Sequence, residues 1–162
     1  MKVAWDDPRI APEVSTATAI FIRERCEWTW WATFTFGREV TPQRASEVFR
    51  RFVRYLAQKV VRAHVHVAWV VDDNGGHVHL HTLLSLPPDA LKVTVRGLEN
   101  VWRVAARGLC GHTHIRKYDE EKGAAEYIAK KTPRRLWGLD IACSRRPRCR
   151  RGRGCIRSRS AW

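Results

Sequence analysis

Two alternating segments joined by an Asn-Gly pair dominate the hydrophobic pattern of the chain. Residues 64 to 73 (HVHVAWVVDD) and 76 to 86 (GHVHLHTLLSL) both switch between apolar and polar positions, the period of half-buried strands. Asn74-Gly75 favours a two-residue hairpin turn, which would pair Asp72 with His77, Val70 with His79 and Ala68 with His81. Parity then assigns Val65, Val67, Trp69, Val71, Val78, Leu80 and Leu84 to a core-facing side. His64, His66, Ala68, Val70, Asp72, His77, His79 and His81 fall on the other.

Upstream, residues 28 to 36 (WTWWATFTF) read as a strand with Trp28, Trp30, Ala32, Phe34 and Phe36 inward and Thr29, Trp31, Thr33 and Thr35 outward. Thr41 as N-cap and Pro42 at the first helical position open a helix to about Arg62, with Ala45, Val48, Phe49, Phe52, Leu56 and Val60 at helical spacing. After the hairpin, Pro87-Pro88-Asp89 opens a mostly helical segment to about Arg107, broken by Gly108 and Gly111. Residues 112 to 118 alternate again, and with Ile115 inward His112, His114 and Arg116 point away. Asp119 caps a last helix, DEEKGAAEYIAKK, with acids first and lysines last as the helix dipole favours.

The order strand, helix, two strands, helix, strand, helix predicts an α+β fold, an antiparallel sheet with helices packed on one face. The open face would carry Thr33, Thr35, Asp72, His79, His81 and His114. The pattern divides the chain into an N-terminal segment of unassigned structure (1–27), a domain (28–138) and an arginine-rich tail (139–162) expected to be disordered when free.

Charge adds a partner. Thirty Lys+Arg against 16 Asp+Glu give +14, and a chain this basic seeks polyanions, nucleic acid first. Eight arginines lie in the last twenty residues; subtracting them still leaves +6 on the rest. Neither a signal peptide nor a bilayer-spanning apolar run is apparent, so a cytoplasmic protein without membrane association is expected. The five cysteines, Cys26, Cys110, Cys143, Cys149 and Cys155, are expected as thiols, the last three being spaced too widely for a zinc knuckle.

The candidate chemistry starts with His77, His79 and His81. Alternate imidazoles share one strand face, and beside Asp72 they form a thiolate-free donor set suited to Mn²⁺ or Mg²⁺. On the last helix Tyr127 is followed three and four residues later by Lys130 and Lys131, on the same helical face. A phenol with a pKa of about 10 needs help to lose its proton at neutral pH. A metal held by His79, His81 and Asp72 would polarise a phosphodiester for its attack.

In this order and spacing, WATFTF (31–36), GHVHLHTLL (76–84) and AAEYIAKK (124–131) resemble the three motifs of the HUH endonucleases, in particular the single-tyrosine initiators of rolling-circle replication in plasmids and phages. The resemblance covers Trp28 to Lys131. It implies a ferredoxin-like, RRM-like sheet, with His79 and His81 as metal ligands and Asp72 standing where the family commonly has a glutamate. His77 is an alternative ligand, and His77 and Lys131 are possible metal or phosphate contacts. It further implies that Tyr127 attacks single-stranded DNA, at an origin hairpin, to leave a 5′-phosphotyrosine and a free 3′-hydroxyl, with Lys130 assisting charge or proton handling. No Gly-x-x-x-x-Gly-Lys-Ser/Thr loop occurs, so a host helicase would unwind and a host polymerase extend. Expected DNA contacts are Trp31 as a stacking platform, Thr33 and Thr35 on the open face, and Arg145, Arg146, Arg148, Arg150, Arg151 and Arg153 of the tail.

Two other readings fit part of the pattern. Single-tyrosine HUH transposases have a similar histidine segment, but they place a metal-ligating glutamine where this chain has Lys131. A non-enzymatic RNA- or single-stranded-DNA-binding module would use the aromatics and the arginine arm, with no need of Tyr127 or a metal.

Overall fold

The alternation in residues 30–36 becomes an inner strand of the sheet. A computed structural model describes residues 11–73, 76–90, 92–131 and 137–142. In chain order its elements are α1 (Ala11–Arg25), β1 (Trp30–Phe36), α2 (Pro42–Tyr55), β2 (Val65–Asp72), β3 (His79–Ser85), α3 (Val95–Ala106), β4 (Cys110–Lys117), α4 (Ala124–Lys131) and β5 (Trp137–Ala142). The fold is α+β. Its five strands form one antiparallel sheet in the order β4-β1-β3-β2-β5.

Trp30, Ala32 and Phe34 of β1 meet Val65, Val67, Trp69 and Val71 of β2 and Leu80 and Leu84 of β3 on one sheet face, under α2 and α3. Aromatic rings fill this layer. Phe34 stacks on Trp102 of α3 at 4.6 Å and tilts against Phe52 of α2 at 4.9 Å. Burying such side chains contributes roughly 1.5–3 kcal/mol each, and this layer holds most of the core.

The second face is less open than the strand pattern predicts. Ala68, Val70 and Leu83 are apolar residues on the histidine side. They are buried with Ala19 and Ile22 of α1 and Ala124, Ala125, Ile128 and Ala129 of α4. Alanines on the inner side of α4 let its backbone approach the sheet closely, and that approach brings Tyr127 within reach of the histidines. Trp28 belongs to this second cluster and precedes β1; its indole N–H donates to Ile22 O at 2.8 Å. It was expected on the Trp30 side, but the strand period does not extend back to it.

Register differs from the hairpin expectation by two residues. The strands pair Asp72 with His79, Val70 with His81 and Ala68 with Leu83, because β3 starts at His79 and the connection is longer than an Asn-Gly turn. Asn74 and Gly75 lie outside the described residues. A two-residue shift preserves parity, so the predicted faces survive while His77 leaves the sheet.

The helix bounds show similar local corrections. Thr41 does cap α2, accepting the Arg44 N–H at 3.2 Å. The segment Leu56–Val61 widens into a π-helical turn that closes at Arg62, φ 57°, and this rotates Val60 out to 40% exposure. The residues from Pro88 to Ala90 form only a 3₁₀ turn. Thr94 then caps α3, accepting the Gly97 N–H at 3.1 Å. Asp119 caps a 3₁₀ turn, and α4 begins only after Gly123, whose φ of 64° interrupts the helix.

Two elements add to the order predicted from the sequence, α1 in the unassigned N-terminal segment and β5 beyond the last helix. Helix α1 packs on α4, and β5 adds an edge strand to β2, so the expected domain limit between residues 138 and 139 falls inside a strand. Trp69 binds β5 by donating its indole N–H to Asp140 at 3.0 Å. Gly138 lies so close that a Cβ there would come 2.6 Å from Trp69 Nε1. Among the described residues no helix is long and apolar enough to cross a membrane.

Candidate active site

Pairing between β2 and β3 sets the Asp72 carboxylate beside His79. Pairing between β1 and β3 sets Thr33 opposite His81 and Thr35 opposite His79. Helix α4 crosses this end of the sheet and presents Tyr127 and, one turn later, Lys131. The Tyr127 hydroxyl donates to Asp72 Oδ2 at 3.3 Å and lies 3.4 Å from His81 Nε2. Both distances are at the long end of the hydrogen-bond range. The His81 and Tyr127 rings meet edge to face at 4.7 Å. Lys131 Nζ sits 2.8 Å from the same carboxylate oxygen, Asp72 Oδ2.

Burial controls the protonation states. It lowers the His81 pKa to about 4, with the nearby His79 and Lys131 charges adding to the fall and Asp72 opposing it. Burial also raises Tyr127 above its ordinary 10, helped by Asp72 and opposed by Lys131. Lys131 is raised chiefly by its hydrogen bond to Asp72 and stays an ammonium. The resting site therefore combines a neutral imidazole, a protonated phenol and a fixed cation.

One stability prediction follows from His81. Between its ordinary 6.5 and about 4, the unfolded chain binds a proton there that the folded one refuses, so stability rises with pH across that window and falls on acidification. A shift of this size corresponds to about 3 kcal/mol. Thermal unfolding followed from neutral pH down to about pH 4 should show the loss, and His81→Asn should flatten the slope.

The donor chemistry fits a divalent ion. His81 is neutral at working pH, and Thr33 Oγ1 lies 3.1 Å from its Nδ1. If Nδ1–H donates to Thr33, the Nε2 lone pair faces the Asp72 side of the site, an arrangement that orients metal-ligating histidines. His79, also on this face with its ring centroid 6.3 Å away, and Asp72 complete a nitrogen and oxygen set suited to Mn²⁺ or Mg²⁺. Among the described residues no three His, Cys, Asp or Glu side chains are grouped so as to hold an ion as they stand. On the Asp72 side, Lys131 occupies the carboxylate oxygen.

Six of the residues singled out in the sequence thus come together: His79, His81, Asp72, Tyr127, Lys131 and Thr33. Others do not. Lys130, expected to assist the tyrosine, is exposed while Lys131 turns inward; a residue four positions after Tyr127 overlies it better here than one three after. His77 is exposed and lines a cleft of about 230 Å³ with Thr35, Arg38, Glu39, His79 and His112. Thr35 donates to His112 O at 2.8 Å, tying β1 to β4. Trp31 lies half-buried, its ring 6.4 Å from Tyr127, and one face is covered by the Arg116 guanidinium at 4.0 Å. Arg145, Arg146, Arg148, Arg150, Arg151 and Arg153 lie outside the described residues, as do Cys143, Cys149 and Cys155.

Sequence reasoning missed Thr33 as the partner of His81 and Arg116 as the cover over Trp31. Strand parity put each residue on the right face, but the pairing of β1 with β3 and β4 had no local signal. Comparison with protein-family models, curated proteins and solved structures finds no match to this chain.

Proposed function

We propose that this protein is an HUH-type enzyme that nicks and rejoins single-stranded DNA through a covalent 5′-phosphotyrosine, initiating rolling-circle replication of a plasmid or phage. The reading is carried by the Tyr127 hydroxyl, held 3.3 Å from Asp72 Oδ2 and 3.4 Å from His81 Nε2 at the end of a basic chain's sheet. A buried structural tyrosine needs no such company. Tyr127 Oη attacks the phosphorus, the bond to the 3′ oxygen breaks, and that oxygen leaves as a hydroxyl after taking up a proton. The phenol proton departs along the hydrogen bond already made to Asp72. His79, His81 and Asp72 would hold Mn²⁺ or Mg²⁺, which when bound supplies Lewis-acid polarisation of the phosphodiester. Because the phosphotyrosine retains the bond energy, a later 3′-hydroxyl reverses the step and joins strands without ATP. Host helicase and polymerase supply unwinding and extension.

Between the two HUH readings, Lys131 favours the initiator. It stands where the transposases have a coordinating amide and is engaged in an ion pair instead. Incubating the protein with a pool of single-stranded oligonucleotides and Mn²⁺, then resolving it on a denaturing gel, should give a metal-dependent protein–DNA adduct. Origin-containing substrates that are bound but never cleaved would transfer the reading to a non-enzymatic binding module.

A further inference from the structure

We propose that Lys131 is a built-in counter-cation that competes with a divalent ion for the Asp72 carboxylate. The inference rests on the metal-binding part of the function proposed above. Of the two lysines that follow Tyr127, only the second is turned into the site: Lys130 is exposed, whereas Lys131 Nζ is 2.8 Å from Asp72 Oδ2. The Asp72 side chain is 3% exposed and that of Lys131 24%, so the carboxylate is shut away from water while the ammonium keeps partial access to it. A carboxylate this buried is stable only with a positive partner. Lys131 supplies one from within the chain.

A divalent ion held by His79, His81 and the same carboxylate would bring two further positive charges to within a few ångströms of the ammonium. Like charges that close in a partly dry site repel strongly. The ion therefore enters by exchange, and each binding event must displace the ammonium from Asp72. Its neighbour on α4 is Tyr127, whose ring centroid is 5.7 Å from Nζ. An ammonium released from the carboxylate thus stays beside the hydroxyl that the phosphodiester approaches. Metal loading and the freeing of a phosphate-binding cation become one event. The site resists empty loading because its own lysine already neutralises the acid.

The test is a Mn²⁺ titration of the full chain without DNA, read by the electron paramagnetic resonance signal of free Mn²⁺, on wild type, Lys131→Met and Lys130→Met. Lys131→Met should bind at least about tenfold more tightly than wild type. Lys130→Met should stay within about twofold, as an exposed lysine would. Should the methionine variant fail to fold with Asp72 left among apolar atoms, Lys131→Ser leaves room for water on the carboxylate and should show the same gain. Wild-type binding with no gain in the Lys131 variants overturns the competition and leaves the nicking function standing. Absence of Mn²⁺ binding in every variant overturns both the competition and the metal centre.

Discussion

Tyr127→Phe should abolish covalent capture of DNA, lowering adduct formation by at least about a thousandfold, because no other step can replace a missing nucleophile. The substitution removes one oxygen and leaves the ring that packs on His81 at 4.7 Å. The hydrogen bonds of that oxygen are long, 3.3 and 3.4 Å, so the cost in stability should be under about 1 kcal/mol. DNA affinity should change little, since basic residues and stacking supply it. Adduct formation on denaturing gels, unfolding temperature and fluorescence anisotropy with a labelled oligonucleotide separate these effects. Tyr118 provides an internal comparison: burial also raises its pKa, but it borders a different cavity, with Arg23, Cys26 and Trp28. If Tyr127→Phe still formed the adduct, the nucleophile would lie elsewhere in the chain.

The site was legible where chemistry repeats with the period of an element. Alternation within two strands, joined by the parity of the predicted hairpin, put Asp72, His79 and His81 on one sheet face, and that assignment survived a register error because the error was two residues. Spacing on the last helix gave Tyr127 and both lysines, but not which lysine turns inward. That choice depends on the angle at which α4 crosses the sheet, which is set by alanines packing against Ala68, Val70 and Leu83. The same packing explains why the open face was overestimated. Ala68 and Val70, assigned to the histidine side, are part of the docking ground for α4. Helix α1 could not be assigned from the sequence because its apolar residues lack a clean stripe: Phe21 and Ile20 stay 54% and 41% exposed while Ile22 and Ala19 are buried. Strand β5 was hidden by the arginine-rich composition that follows it, although Trp69 and Gly138 fit one another closely.

His79→Ala/His81→Ala is expected to lower adduct formation by at least about a hundredfold and to remove its dependence on Mn²⁺, because a single carboxylate paired with Lys131 retains little affinity for the ion. Loss of activity alone would not separate a metal centre from a damaged fold. The His81 titration does. Truncation of a half-buried ring costs packing at neutral pH, but it also deletes the group whose proton the folded state refuses down to about pH 4. The double variant should therefore be less stable than wild type near pH 7 and lose less on acidification, so that the two unfolding curves converge as pH falls. Oligonucleotide binding should persist within a few-fold, since the ring nitrogens are not the source of the chain's +14 charge. A nucleic-acid-binding module would keep binding too, but it would have no metal-dependent product to lose in the wild type. The combination that supports the enzyme is a metal-dependent adduct in wild type, none in the double variant, and equal retention of DNA by both. Undiminished Mn²⁺-stimulated cleavage by a folded double variant would remove these histidines from the chemistry.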